Sequence, residues 1–188
     1  MFFNSAFQGD VCSHTCSFAL DNVIRRIFQD PVKIAGPYIR PGDTVIDFGC
    51  GPGYFTTAMA KLAGPGGKVW AVDLQPEMLE KVHKKCRALG LSDIVTCHQC
   101  SEHAVDLDAA VQADFMLAYY MVHEVPDILA FFKQAFPLLR PGGRFLVVEP
   151  PFHVSRSQFK DIRAAALEAG FRMLDTPKGK GGRTLLLT

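Results

Sequence analysis

Apolar residues along this chain follow two alternating rhythms. The first is short, nearly continuous apolar runs, at 44–49, 68–73, 94–99, 113–120 and 145–149. Runs of that kind suit buried parallel strands, which are covered on both faces and so lack in–out alternation. The second is longer stretches with apolar positions three and four apart, the stripe of an amphipathic helix. Residues 54–63 carry Phe55, Met59 and Leu62 on one face. Residues 76–89 carry Leu79, Val82, Cys86 and Leu89, and Gly90 is a natural stop. A helix from Asp127 places Ile128, Leu129, Phe132, Phe136 and Leu139 together, and Ser155 caps another that reaches Ala169 and closes at Gly170. Two short segments, 172–176 and 183–188, bring the strands to seven. Upstream, Leu20, Ile24, Ile27 and Phe28 share a helical face between Phe18 and Gln29. Asp30-Pro31 ends that run, and Pro31 opens a second short helix. Proline–glycine turns at Arg40–Asp43, Gly64–Gly67 and Leu139–Arg144 punctuate the pattern. Strands alternating with helices predict a doubly wound α/β sheet.

Composition narrows the class. A chain of 188 residues is long enough for one domain with a sizeable core. Residues 31–188 are expected to form that domain, with 1–30 an arm and helix that are a candidate cap. The net charge of +1 gives no reason to expect a polyanion partner. No apolar run reaches the roughly 18 residues of a membrane span. The start, Met1-Phe-Phe-Asn-Ser-Ala-Phe7, lacks the basic region of a signal peptide. Six cysteines without such a signal point to free thiols in a reducing cytoplasm. Cys12, His14 and Cys16 lie in an irregular stretch that reads as a mobile arm or a flap, and their spacing is not a familiar tetrahedral metal set. Cys97 and Cys100 are three apart on a strand and point different ways. No metal site is predicted.

The chemistry gathers around Val45-Ile-Asp-Phe-Gly-Cys-Gly-Pro-Gly-Tyr-Phe-Thr56. A strand here turns through Gly49, Gly51 and Gly53 into a helix. Such a junction brings bare N–H groups and a positive helix end to one point, which suits a nucleotide-like ligand. The dinucleotide fingerprint is G-x-G-x-x-G, whereas this spacing is G-x-G-x-G followed by Tyr54. Asp73 ends the next strand, 20 residues after Gly53, where a carboxylate can hold a ribose diol. Its alternative role is a helix N-terminal acid ahead of Pro76.

Asp47-Phe-Gly-Cys-Gly-Pro-Gly53 resembles the first motif of the class I S-adenosylmethionine-dependent methyltransferases. Met121-Val-His-Glu-Val-Pro-Asp127 resembles the fourth motif of that family, and Leu139–Arg144 the turn before its fifth strand. The resemblance covers roughly residues 40 to 150. It implies strand order 3-2-1-4-5-7-6, the last strand antiparallel, and a pocket where the order reverses between strands 1 and 4. It also implies S-adenosylmethionine as cofactor. The glycine loop (Gly49, Cys50, Gly51, Gly53) would lie under the methionine part with Asp47 ordering it from behind, Asp73 on the ribose, and Leu74 and Ser101 at the adenine. Tyr119 joins the same pocket. Where the family usually carries an acid facing the adenine amino group, this chain has Cys100, a weak acceptor.

A base matters only for an acceptor that is protonated near neutrality. His123, seconded by Glu124, is the best candidate, with Glu149 and His153 behind them. His83, His98 and His103 read as surface or packing positions. The Asn/Asp-Pro-Pro-Tyr motif of DNA amino-methylating enzymes is absent, with Ala118-Tyr-Tyr-Met121 in its place, and so is a Pro-Cys nucleophile. These absences, with the near-zero net charge, argue against DNA. The general resemblance is to the small-molecule branch of the family, which includes quinone and arsenite methyltransferases, and it implies a small-molecule acceptor. The acceptor side would be closed by residues 1–30 or by a second subunit in a homodimer. Two other readings stay open: a non-catalytic S-adenosylmethionine-binding module serving as an interaction platform, and a nicotinamide oxidoreductase.

Overall fold

The computed structural model of the protein describes residues 29–188. The seven strands are β1 (Thr44–Phe48), β2 (Lys68–Asp73), β3 (Val95–Gln99), β4 (Ala113–Tyr119), β5 (Leu139–Glu149), β6 (Met173–Asp175) and β7 (Arg183–Leu187). They form one sheet in the order β3-β2-β1-β4-β5-β7-β6. Pairings from β3 through β5 are parallel, and β7 runs antiparallel to both its neighbours. This is the expected architecture. The arm with Cys12, His14 and Cys16 lies outside the described residues, as does the helix expected from Phe18, except for Gln29.

Among the described residues, five α-helices flank the sheet: α1 (Pro31–Ala35), α2 (Tyr54–Ala63), α3 (Pro76–Leu89), α4 (Ile128–Ala135) and α5 (Arg156–Glu168). Alternation along each strand divides the core in two. Val45 and Phe115 face α1–α3 with Ile34, Phe55, Met59 and Val82. Ile46, Phe48 and Phe145 face α4 and α5 with Phe132 and Ile162. Local signals set the helix ends. Asp30 accepts from the N–H groups of Val32 and Lys33 ahead of Pro31, and Ser155 forms a capping box with Gln158.

Three sequence expectations are corrected. Leu89 is exposed, because Gly90 turns the chain in a left-handed cap and Leu91 takes the buried place, its N–H on the Cys86 carbonyl at 2.8 Å. The helix from Asp127 stops at Ala135, as Pro137 forces a 3-10 turn. Phe136 is therefore left exposed, Leu139 begins β5, and the buried positions are Phe131, Phe132 and Ala135. The fifth strand begins at Leu139, not Phe145. Ala113 pairs with Leu139 and Phe115 with Arg144, so Arg140-Pro-Gly-Gly143 bulges out of a continuing strand. Other boundaries move by one residue, which is within the fraying of element ends.

Phe145 sits at the centre of the second core layer, fully buried, with ring centroids of Phe171, Phe48 and Phe132 at 5.5, 5.8 and 6.1 Å. Phe145→Ala should lower unfolding free energy by about 3–5 kcal/mol, read as a shifted urea midpoint with unchanged slope.

Candidate active site

The chain leaves β1 at Phe48 and crosses to α2 through Gly49, Gly51 and Gly53, all at positive φ (61°, 51° and 81°). Two of these glycines differ instructively. A Cβ on Gly49 would stand 2.8 Å from the Met121 Cβ, so that glycine permits a close crossing of two strand ends. A Cβ on Gly51 would meet nothing within 4 Å, so its backbone faces open space that a ligand can enter. Cys50 ties the loop to β2 through its N–H on the Val72 carbonyl at 3.0 Å. Behind the loop, Asp47 is 2% exposed and accepts the Thr56 hydroxyl at 2.6 Å, which joins β1 to the first turn of α2.

Asp73 closes the other side. Its Oδ2 accepts the Gly51 N–H at 2.8 Å and its Oδ1 the Gln75 N–H at 2.9 Å. Burial raises its pKa above the ordinary carboxylate value, against the pull of backbone donors at Gln75, Gly51 and Leu74. Each oxygen retains acceptor capacity toward a diol.

Next to it lies a cavity of about 200 Å³ walled by Phe48, Val72, Met121, Val125 and Phe131, with Cys100 and Ser101 along one side. Burial, with Asp73 adding to it, pushes the Cys100 thiol up to about 11, so it stays protonated. The Ser101 N–H already donates to the Ala104 carbonyl at 2.9 Å. Leu74 is half-buried, and its carbonyl accepts the Gln99 amide at 3.3 Å. A polar hollow of about 290 Å³ at the opposite end of the sheet is lined by Arg40, Asp43, Asp114, Arg140 and Arg144. Asp114 pairs with Arg140, the Asp43 carboxylate takes the Arg40 N–H, and Arg144 donates to the Gly142 and Gly143 carbonyls.

Beyond β4, a 3-10 turn at Val122–Glu124 carries His123 over the end of β5. Its Nδ1 lies 2.5 Å from Oε2 of Glu149, which is fully buried and accepts the Val122 N–H on Oε1 at 3.0 Å. Glu124 stands 3.9 Å from Nε2, and the His153 ring lies nearly parallel to that of His123 at 6.5 Å. Burial pulls the His123 pKa down, but the hydrogen bond and charge of Glu149, with Glu124 adding, outweigh it, and the net shift is upward. The stability this pair contributes is thus fully present below the ordinary histidine value and lost as pH rises through the raised one. Burial raises Glu124 as well, with Glu149 and Asp73 adding while His123 opposes.

Asp47, Gly49, Cys50, Gly51, Gly53, Asp73 and Cys100 therefore meet at the carboxyl ends of β1, β2 and β3, with His123 and Glu124 on the β4 side. The Tyr119 ring packs in the core against Phe55 at 4.4 Å, and its hydroxyl donates to the Lys180 carbonyl at 3.1 Å. His98 is a packing residue, its Nε2 2.9 Å from the Val105 carbonyl. Sequence reasoning passed over the loop between β6 and β7. Tyr120, a bulky residue at φ 62°, bonds through its hydroxyl to the Gly181 carbonyl. Side chains at Gly181 and Gly182 would collide with the Tyr119 hydroxyl and the Glu149 carbonyl. Three glycines within residues 177–182 were the available signal.

A nucleoside carrying an amino-acid arm fits these parts. The open glycine backbone suits the arm, Asp73 the diol, and the apolar cavity a flat base. Comparison with known proteins gives the same answer. A protein-family model described as a methyltransferase domain matches residues 20–178. The chain is 30% identical over 149 residues to the ubiquinone/menaquinone biosynthesis C-methyltransferase of Pasteurella multocida, covering 79% of this chain and 53% of that protein. It is 35% identical over 119 residues to the ubiquinone biosynthesis O-methyltransferase of Xanthomonas campestris pv. campestris, covering 61% and 47%. It thus spans about half the length of the curated relatives it matches. A SAM-dependent methyltransferase structure from Aquifex aeolicus superposes with TM-score 0.81 at 24% identity, over 94% of this chain and 97% of that one. The fold and crevice define the class I S-adenosylmethionine-dependent type. The chain belongs to the methyltransferase-domain family.

Asp73→Ala removes both a diol acceptor and the brace on Gly51. Calorimetric titration with S-adenosylhomocysteine should show Kd rising at least about tenfold, since hydrogen bonds to charged groups are worth about 1.5–3 kcal/mol. Unchanged far-UV circular dichroism would confirm that the fold is retained.

Proposed function

We propose that this domain transfers the methyl group of S-adenosylmethionine to a small-molecule acceptor whose reacting atom must lose a proton, with His123 as the base. The observation that carries this reading is the contact between His123 and a fully buried Glu149. When bound, S-adenosylmethionine supplies a methyl group on a positively charged sulfur and leaves as a neutral thioether. The donor is already activated, so the protein's tasks are alignment, water exclusion and handling of the acceptor proton. Glu149 accepts Nδ1–H and fixes that tautomer, which leaves the Nε2 lone pair to take the acceptor's proton. The imidazolium so formed is stabilised by the same carboxylate. A metal-free binding platform has no use for a buried acid committed to orienting one imidazole, so the dyad favours catalysis over the non-catalytic alternative.

The relatives' names support a hydroxylated ring as acceptor, since they describe C- and O-methyl transfer in quinone biosynthesis. A phenol, with a pKa of about 10, is a suitable partner for a base raised above the ordinary histidine value. Residues 1–30 are the segment we assign to closing the acceptor side. Lys180, in the loop against Tyr119 and Tyr120, donates from Nζ to the carbonyls of Lys33 at 2.8 Å and Ile34 at 3.1 Å, directly after that segment. A second subunit is the alternative closure.

The rising limb of the kcat/KM profile for a phenolic acceptor should lie above the ordinary histidine value of about 6.5. Glu149→Gln should move the limb to lower pH, because the imidazolium loses its counter-charge, and reduce kcat about 10²–10⁴-fold, the usual span of a positioned base. A limb that stays in place in the variant would remove His123 from the role.

A further inference from the structure

The cavity beside Asp73 is lined mainly by apolar side chains, with Asp127 and Gln134 also on it, and the loop from Cys100 to Val105 forms one wall. A purine edge placed there would be read by whatever donors and acceptors that wall offers. The Cys100 N–H donates to the Asp73 carbonyl at 3.1 Å and the Ser101 N–H to the Ala104 carbonyl at 2.9 Å. The Ala104 N–H goes to the Ser101 hydroxyl at 3.0 Å, and the Val105 N–H to the Gln134 amide oxygen at 2.8 Å. Two of the wall's carbonyls are engaged as well. The His103 carbonyl takes the Gln134 amide at 3.0 Å and the Val105 carbonyl faces His98 at 2.9 Å. Of the acids at the rim, Asp127 caps α4 through the Ala130 N–H at 2.9 Å, and Glu102 is exposed, where water competes for it. In the place where a carboxylate would accept from an amino group, this wall offers the neutral Cys100 thiol, a weak donor and a weak acceptor.

We propose that this wall reads the base of the cofactor by shape and stacking, so that the pocket takes purines altered at the six-position nearly as well as adenine. The inference rests on the assignment of this cavity to the cofactor's base. Its physical ground is an asymmetry in recognition. A site built to hydrogen-bond a group rejects an analogue lacking it strongly, because its own buried polar atoms are left unpaired, whereas an apolar slot cannot firmly reject a near-isostere. Exchange of the 6-amino group for a 6-oxo group alters hydrogen-bonding character with little change of shape. Here the N–H groups of Cys100, Ser101, Ala104 and Val105 are already committed within the protein, so the wrong base leaves none of these four unpaired.

Calorimetric titration of the whole chain with S-adenosylhomocysteine and with S-inosylhomocysteine tests this. The two Kd values should agree within about tenfold, the factor that one weak hydrogen bond supplies. Cys100→Ala should leave the ratio in place. Cys100→Asp should widen it at least about tenfold in favour of the adenosyl compound, because a carboxylate accepts from the amino group and repels the oxo group. A larger ratio in the unaltered protein overturns the proposal without any variant, and so does a ratio that Cys100→Asp leaves unmoved. Absence of heat with S-adenosylhomocysteine itself overturns the pocket assignment, and the proposal with it. Heat with S-adenosylhomocysteine but a ratio above tenfold overturns the proposal alone.

Discussion

One hydrogen bond joins the two halves of the cofactor crevice, from the Gly51 N–H to the Asp73 carboxylate. It spans the end of β1 and the end of β2, strands whose register is parallel and continuous from Thr44–Lys68 to Phe48–Val72. The sheet holds the two ends at a fixed separation, and the glycine loop must bend back to meet the acid. That bend requires positive φ at Gly49, Gly51 and Gly53, which side chains resist. Asp47 braces the same loop from behind through Thr56. A carboxylate on each side thus ties a loop that has almost no side chains of its own, so a mobile segment becomes a preorganised cradle.

The reacting side is built by the same means on different strands. β4 and β5 run parallel, and their carboxyl ends deliver His123 and Glu149 to one place. Neither residue would work alone. Isolated in a half-buried site, the imidazole would titrate below its usual range, and Glu149 without a partner would be an uncompensated buried charge. On the proposed reading they form a base whose tautomer and orientation are set by the end of β5. The loop before β7 packs against that end through Gly182, so the acceptor side is shaped by a segment distant in sequence.

Most elements were legible in the sequence because buried strands and amphipathic helices carry strong periodic signals, whereas the sheet order was implied by the family resemblance. Turn chemistry added Gly90, Asp30 and Ser155. The failures came where one proline or bulge outweighed the period. Pro137 cut α4 short, and Arg140–Gly143 looked like a full turn although the same strand resumes beyond it, in a shifted register. At the site, residue types announced Asp73 and the glycine loop. Glu149 read as a spare base, and its contact with His123 emerged only when β4 and β5 stood side by side. The commitment of the Ser101 N–H to Ala104 was invisible, because a local turn competes for the same donor that a ligand would use.

The distribution of buried charge gives an independent reason to place function here. Among the described residues the buried carboxylates are Asp47, Asp73 and Glu149, at 2%, 8% and 0% exposure. They occupy the carboxyl ends of β1, β2 and β5. Burying an ion costs several kcal/mol after relaxation, and an apolar residue of similar size would commonly serve stability as well or better. Each acid is satisfied by donors at or beside the crevice: Thr56, Gly51, Gln75, Val122 and His123. Among the described residues the amino ends of the same strands carry no buried acid; beside them, at the start of β4, Asp114 is 12% exposed and pairs with the half-exposed Arg140. A fold that concentrates its costliest residues at one end of the sheet makes that end negative and rigid. Such a field favours a cation over its neutral counterpart, so a ligand that enters charged and departs neutral is held before reaction and released after it.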